Sequence, residues 1–409
     1  NLMNNESDMA FEEPEASPEP TTENKPIKPG KAKKYVLDYD GKTGALYKLF
    51  LLDFFMRIIT IGIYSFWGKT RLRKYIFSRH ALDGDRFEYT GTGGELFKGF
   101  LKVLPILVIL FVPLALQGVN PLFSLFYIPL VYCVGIAIYG ATRYRYSRTR
   151  WRGVRGYLDG STIGYANLAF GRMLLNFITL GFAIPSSDIA KHRYIMNNAY
   201  FGNVKAEFTG DSKVLFGAYI KSMLLVFFLF IALGGLFYAS FAMAQNGDYS
   251  GYDQSQYSSE KKYDDMNFSE FNSEFGHLAG ELNAHTFIIA TASFLVIFIP
   301  FLIFPIARSI YVAALMREKM RGLKVGHLKF MCTVTAGKLI KHKMANALIL
   351  LLTLGLGFPY IVQRNIRFMV RHHIIMGDLK AFQAEQGKDQ GLTSGEGLET
   401  GFDIDAGFF

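Results

Sequence analysis

Thr60-Ile61-Gly62, Thr179-Leu180-Gly181 and Thr353-Leu354-Gly355 each close an apolar run. Each is followed, at one fixed offset, by a basic residue and an aromatic: Lys74-Tyr75, Arg193-Tyr194 and Arg367-Phe368. A second glycine, Gly84, Gly202 or Gly377, comes after nearly the same further distance. A register held across several landmarks is the mark of internal repetition, so the chain reads as a series of similar units.

Working outward, the first copy leads into Phe87-Glu88-Tyr89-Thr90-Gly91 and Leu96-Phe97-Lys98-Gly99, and the second into Glu207-Phe208-Thr209-Gly210 and Leu215-Phe216-Gly217. Both then enter a long apolar stretch. Residues 100–117 with 121–141, and 214–244 with 285–314, are long enough to cross a bilayer, which takes about 20 apolar residues as helix. The organisation expected is a disordered N-terminal tail over 1–40, followed by two similar halves and a disordered acidic tail over 383–409. The first half, 41–213, holds the Thr-Ile-Gly unit, a membrane hairpin over 100–141 and a Thr-Leu-Gly unit over 165–210. The second, 214–382, holds a hairpin over 214–314 with an outer loop at 246–283, then the unit of 345–380.

Composition agrees with a membrane protein: half the residues are hydrophobic, 15% are aromatic and mean hydropathy is +0.18. The fold class expected is therefore an all-α polytopic membrane protein with internal repeats. Alternating stretches such as Asp85-Arg86-Phe87-Glu88-Tyr89 and Lys205-Ala206-Glu207-Phe208 add short cytoplasmic β-strands, pairing with each other in one small sheet. Two cysteines, Cys133 and Cys332, are too few for a disulfide framework and read as free thiols.

The net charge of +10 is carried by clusters beside the apolar runs. They include Arg143, Arg145, Arg148, Arg150, Arg152 and Arg155; Lys191, His192 and Arg193; and Arg317, Lys319, Arg321 and Lys324. Lys- and Arg-rich loops stay cytoplasmic, whereas the acidic stretch of 246–283 faces outward. Two hairpins place every basic cluster inside, with both termini cytoplasmic. The Thr-x-Gly runs have basic sequence on both sides, so they are expected to enter and return as interfacial helices or re-entrant hairpins that turn near the glycine, seven simple crossings being the alternative. Pro185 and Pro359, each four residues beyond its glycine, favour such a break.

The segment from Thr60 to Arg71, the Arg73-Lys74-Tyr75 that follows, Tyr89-Thr90-Gly91 and the ending Phe402-Asp403-Ile404-Asp405-Ala406-Gly407 resemble the YjgN family of bacterial inner-membrane proteins. The resemblance covers residues 40–380 and the tail. It implies a multi-pass protein of the Gram-negative inner membrane and brings no activity with it.

No phosphate-binding loop, nucleophile elbow or His-Glu-x-x-His motif occurs, so neither enzyme chemistry, nor a cofactor, nor a metal site is expected. Tyr144, Tyr146 and Trp151 among arginines fit headgroup anchoring and anionic-lipid contact through Arg143, Arg145, Arg148, Arg150, Arg152 and Arg155, not nucleic acid. The leading functional expectation is a transporter or channel for a small solute or lipid. Its path runs past polar residues set within apolar runs: Asp53, Arg57, Arg172, Asn176 and Asn346, with the hydroxyls of Thr60, Thr179 and Thr353. The alternative is a non-transporting scaffold that organises anionic lipid through its basic loops.

Overall fold

The structure, a computed structural model, describes residues 33–246, 304–382 and 384–386. Its organising element is an 11-stranded antiparallel sheet. The strands are β1 (Lys33–Val36), β2 (Asp38–Tyr39), β3 (His80–Leu82), β4 (Asp85–Tyr89), β5 (Thr149–Trp151), β6 (Val154–Leu158), β7 (Ala199–Phe201), β8 (Val204–Phe208), β9 (Leu323–Val325), β10 (Leu328–Cys332) and β11 (His373–Gly377). Sequence neighbours pair from β2 through to β11, and β1 pairs with β11. Only Leu37 separates β1 from β2, so residues 33–39 tie the two ends of the sheet together into a nearly closed ring.

The strand hairpins are tight because the residues at their corners accept left-handed backbone. Asp83 and Gly84 (φ 55° and 89°) join β3 to β4, and Arg152 and Gly153 (φ 51° and 76°) join β5 to β6, two consecutive positive φ values as a type I′ turn requires. Gly202-Asn203 and Gly326-His327 make the corresponding two-residue connections from β7 to β8 and from β9 to β10.

Helices fill the opposite end. From β2 the chain runs out in α1 (Thr43–Ile59) and back in α2 (Ser65–Ser78) to β3; from β4 in α3 (Gly93–Ala115) and back in α4 (Tyr127–Arg148) to β5. From β6 it runs through α5 (Thr162–Ile178) and α6 (Ile184–Asn197) to β7, and from β10 through α9 (Ala336–Leu352) and α10 (Phe358–His372) to β11. It leaves β8 in α7 (Lys213–Asn246) and returns to β9 in α8 (Ser309–Arg321). Each excursion starts and finishes on hydrogen-bonded strands, so every helix lies at one end of the ring and every tight turn at the other. Neighbouring excursions touch: α2 with α3, α4 with α5, α6 with α7, α8 with α9, and α10 with α1. At the last junction Gln363, almost wholly buried, is held by Thr43 and Gly41, and Arg367 donates to the Gly41 carbonyl at 3.1 Å.

A hydrophobic cluster fills the turn end of the ring. Leu82, Trp151, Leu328 and Ile375 from four strands bury against Leu379 and Phe382, with Tyr35, Phe87, Phe201, Val204 and Val325 packed around them. Residues 378–382 and 384–386 lie across this mouth. His327 bonds the Asp378 carbonyl at 2.8 Å, Arg152 donates to the Leu379 carbonyl at 3.2 Å, and Asn203 donates its backbone N–H to Glu385 at 3.0 Å.

The all-α expectation is corrected by this ring. Strands of two to five residues offer too few alternations to stand out beside apolar runs several times longer. The stretches at 85–89 and 204–208 are strands, but they do not pair with each other: β4 lies between β3 and β5, and β8 between β7 and β9. Residues 33–39, assigned to the tail by composition, supply the closing strands. Residues 1–32 and 387–409 of the expected tails, the outer loop of 246–283 except its first residue, and 285–303 of the second hairpin lie outside the described residues, whereas 384–386, assigned to the C-terminal tail, lie against Asn203 and Arg155.

Trp151 joins the ring's core from β5, and Arg152 lies 4.5 Å over its ring. Trp151→Ala is expected to destabilise the fold by about 3–5 kcal/mol, read as a large fall in Tm of the purified protein in detergent. An unchanged Tm would mean that this cluster does not hold the ring together.

Candidate functional site

The three Thr-x-Gly turns share one geometry. In each, the residue after threonine has left-handed backbone (Ile61 φ 48°, Leu180 φ 49°, Leu354 φ 48°) and the glycine follows at 84°, 89° and 90°. The glycine N–H reaches back five residues, to Arg57, Asn176 and Leu350 at 2.7, 2.6 and 2.9 Å, and the residue before it reaches back three, which is a Schellman helix end. The threonine hydroxyl then joins the two helices. Thr60, Thr179 and Thr353 donate to Met56, Leu175 and Ile349 at 2.6, 2.7 and 2.6 Å, and accept from the N–H of Tyr64, Ala183 and Gly357 at 2.9, 3.1 and 2.8 Å. These hydroxyls are engaged with backbone on both sides.

The polar residues expected to line a path each find partners within their own hairpin. Asp53 and Arg57 pair at 2.7 Å on α1, and Asp53 sits so close against Gly68 of α2 that a Cβ there would overlap its carboxylate. Arg172 donates to Ser186 at 3.1 Å, and Asn176 accepts from Ser187 at 2.8 Å, both across the α5–α6 hairpin. Asn346 donates to Asn365 at 2.7 Å and accepts from Arg364 at 2.8 Å across α9–α10, beside His342. The structure therefore distributes these residues over three hairpins, where Arg172, Asn176 and Asn346 bind outgoing helix to returning helix and Asp53 pairs with Arg57 along α1.

The arginine cluster is largely engaged in the same way. Arg143 donates to the carbonyls of Leu158 and Gly160 at 3.0 and 2.9 Å, and Arg148 pairs with Glu95 at 3.2 Å. Arg152 pairs with Asp85 and, at 3.6 Å, with Asp83. Arg145 lies 3.4 Å from the Thr142 hydroxyl, while Arg150 and Arg155 face each other in the β5–β6 register.

A cavity of about 350 Å³ lies where three excursions meet, between α4, α5, α6 and α8. One helical face of α4 (Val131, Val134, Gly135, Ile138) and one of α5 (Tyr165, Ala169, Phe170, Met173) form its apolar wall. Those helices approach closely because Gly135 has no side chain: an added Cβ would stand 3.1 Å from the Ala166 Cα. The polar wall is Asp188, Lys191 and His192 of α6 with Lys319 of α8. Asp188 accepts from the Tyr311 hydroxyl at 2.8 Å and pairs with Lys191 at 3.4 Å. Lys319 makes no hydrogen bond or ion pair among the described residues. Its burial lowers the ammonium below the usual lysine range, with Asp188 opposing and Lys191 adding to the shift. Burial, reinforced by Lys319, pushes His192 down to about 3, and its Nε2 is buried without a partner. With His192 neutral, two ammonium groups face one carboxylate, so the wall carries one cation in surplus. Sequence reading counted Lys191, His192 and Lys319 only as loop charges and passed over Asp188. The 188, 191, 192, 195 spacing, one face of a helix, was the available signal.

Residues 34–400 match the model of a family described as a bacterial protein of unknown function, DUF898. The chain belongs to this family. Inner membrane protein YjgN of Salmonella typhimurium is 35% identical over 82 residues, 20% of this chain and 20% of that protein. No solved structure matches. Within this DUF898 chain, Gly93–Ala115, Pro121–Arg148 and Lys213–Gly235 are long and apolar enough to cross a membrane.

His192 gives the DUF898 cavity a measurable signature. Its folded pKa, about 3, lies below the ordinary 6.5. Its stabilising contribution is thus complete above pH 6.5 and is lost as pH falls from there toward 3, because the unfolded chain takes the proton first. His192→Gln should flatten the fall of Tm between pH 6.5 and 4.5. Parallel Tm curves for parent and variant would show that the ring is not held neutral by burial.

Proposed function

We propose that the protein is an integral protein of the bacterial inner membrane, with its strand ring and both termini in the cytoplasm, and that it provides a path or docking place for a small solute or lipid. The observation that carries the reading is the polarity of the ring. All helices leave from one end, and the residues farthest out are large, apolar and almost fully exposed: Ile61 (93%), Leu180 (84%) and Leu354 (91%). Val119 and Leu122 take the same place between α3 and α4.

Helix length separates two kinds of excursion. At about 1.5 Å per residue, α3 with 23 residues extends about 35 Å, more than the roughly 30 Å of hydrocarbon. Helices α1, α5 and α9, each of 17 residues, reach only about 25 Å. On this reading α3, α4 and α7 span, and the Thr-x-Gly hairpins dip into the ring-side leaflet and return. The polar contacts of Arg172, Asn176 and Asn346 are then tolerable, since each is made inside its own hairpin. The cavity opens the route for a ligand, since it is the place where groups from three excursions converge.

The test is cysteine accessibility in intact cells after Cys133 and Cys332 are replaced. Single cysteines at Ser78 and Lys324, on the ring side, should label only after permeabilisation. Gln254, in the acidic stretch, should label from outside. Ile61 and Leu354 should resist water-soluble reagent from either face. Labelling of Ile61 or Leu354 from outside would make the short hairpins true crossings and overturn the orientation.

A further inference from the structure

The geometry points to a phospholipid with an anionic headgroup as the occupant of the cavity between α4, α5, α6 and α8. Lys319 and Lys191 hold its phosphate, and its chain lies against Val131, Val134, Phe170 and Met173. This rests on the membrane placement proposed above and names the ligand class of that site.

Charge is the first argument. A half-buried ammonium without a partner is costly, and the cheapest remedy is an anion that also accepts hydrogen bonds. Lys319 is such a group, at the C-terminal turn of α8, where the helix dipole favours a cation. Lys191 is already shared with Asp188, and Asp188 is itself oriented by Tyr311, so the local carboxylate is committed and does not neutralise both lysines. His192 stays neutral at physiological pH and adds no competing charge.

Shape is the second. The two lysines lie toward the ring, while the apolar lining extends farther from it. Measured along the helices from the ring, Lys319 lies about 3 Å and Lys191 about 9 Å from the ends of α8 and α6, Met173 about 16 Å from the start of α5, and Val131 about 25 Å from the end of α4. Both cationic groups thus stand in the ring-side part of the cavity, beside Ile195 and Tyr165, and the apolar wall continues past Asp188 toward the apolar end. A lipid of the ring-side leaflet has the same order, headgroup toward the ring and chain away from it. Free phosphate would satisfy the lysines yet leave the wall of Val131, Val134, Phe170 and Met173 against water. The volume, about 350 Å³, falls within the usual range for a small-molecule site.

The experiment uses the full chain reconstituted in nanodiscs of phosphatidylglycerol and phosphatidylcholine, then extracted and weighed by native mass spectrometry for retained lipid. The parent should keep phosphatidylglycerol in preference to phosphatidylcholine. Lys319→Gln should lower that retention about tenfold, the loss of one charge-assisted contact, and Lys319→Arg should restore most of it. Lys324→Gln, at an exposed position on β9, should match the parent. Met173→Trp, which leaves every charge in place and narrows the apolar half, should also release the lipid. Millimolar inorganic phosphate should not displace it.

Retention in Lys319→Gln equal to that in Lys324→Gln overturns the proposal, as does equal retention of the two lipids by the parent. Displacement by inorganic phosphate would make this a site for soluble phosphoesters and equally overturn it. Should Lys319→Gln fail to fold, parent-like retention in Met173→Trp decides against the lipid. None of these results moves the cysteine-labelling pattern, so the membrane placement stands or falls separately.

Discussion

Closure of the strand ring is the constraint on which the rest of the structure depends. An open sheet of such short strands would present two unpaired edges and bury little. Residues 33–39 remove both edges at once by pairing with β11 on one side and β3 on the other. Because the closing segment precedes α1 while its partner follows α10, the ring cannot form until nearly the whole chain is available. Local turns are settled early by Asp83-Gly84 and Arg152-Gly153, but the ring waits on a contact between sequence-distant ends, the kind of pairing that slows folding.

The ring also decides what the helices can do. An antiparallel hairpin with a two-residue turn sends its strands back to the same end, so each pair of helices must leave and return together. Orientation is then not chosen helix by helix. Short hairpins such as α1–α2 and long ones such as α3–α4 are anchored at the same level and differ only in reach. The arginines of α4 and β5 add to this anchoring: Arg143 on two carbonyls, Arg148 on Glu95 and Arg152 on Asp83, Asp85 and Leu379 fix helix ends and turns to the ring.

Much of this was legible in the sequence, and the part that was not has a physical cause. The apolar runs became α3, α4 and α7, and the break at each Thr-x-Gly is a turn with one geometry. The strands were hidden because burial in them is set by a ring closed over long sequence distances, while periodicity is read locally. His80-Ala81-Leu82 or Ala199-Tyr200-Phe201 carries too little pattern to be read alone, although Asp83-Gly84 between β3 and β4 was a hairpin signal in its own right. The surroundings of the path residues were likewise not readable from the sequence. Asp53, Arg172 and Asn346 stood out because they interrupt apolar runs; Arg172 and Asn346 bond to the returning helix of their hairpins, while Asp53 pairs with Arg57 on its own helix. The cavity residues were inconspicuous because Lys191 and Lys319 sit in basic stretches and only folding sets them across from Phe170 and Met173.

The hairpin tips carry the last step. A Schellman turn asks for glycine at its left-handed position, yet isoleucine or leucine occupies it in all three cases. That backbone costs an L-residue roughly 1–2 kcal/mol, and in water an almost fully exposed side chain returns nothing. Within hydrocarbon the same side chain gains about 1.5–3 kcal/mol on leaving water, enough to offset the strain. Glycine would make the better turn and the poorer tip. Ile61, Leu180 and Leu354 at these positions fit the proposed placement of the hairpin tips in an apolar surrounding, and the threonine before each stiffens the turn: its hydroxyl ties the end of one helix to the start of the next.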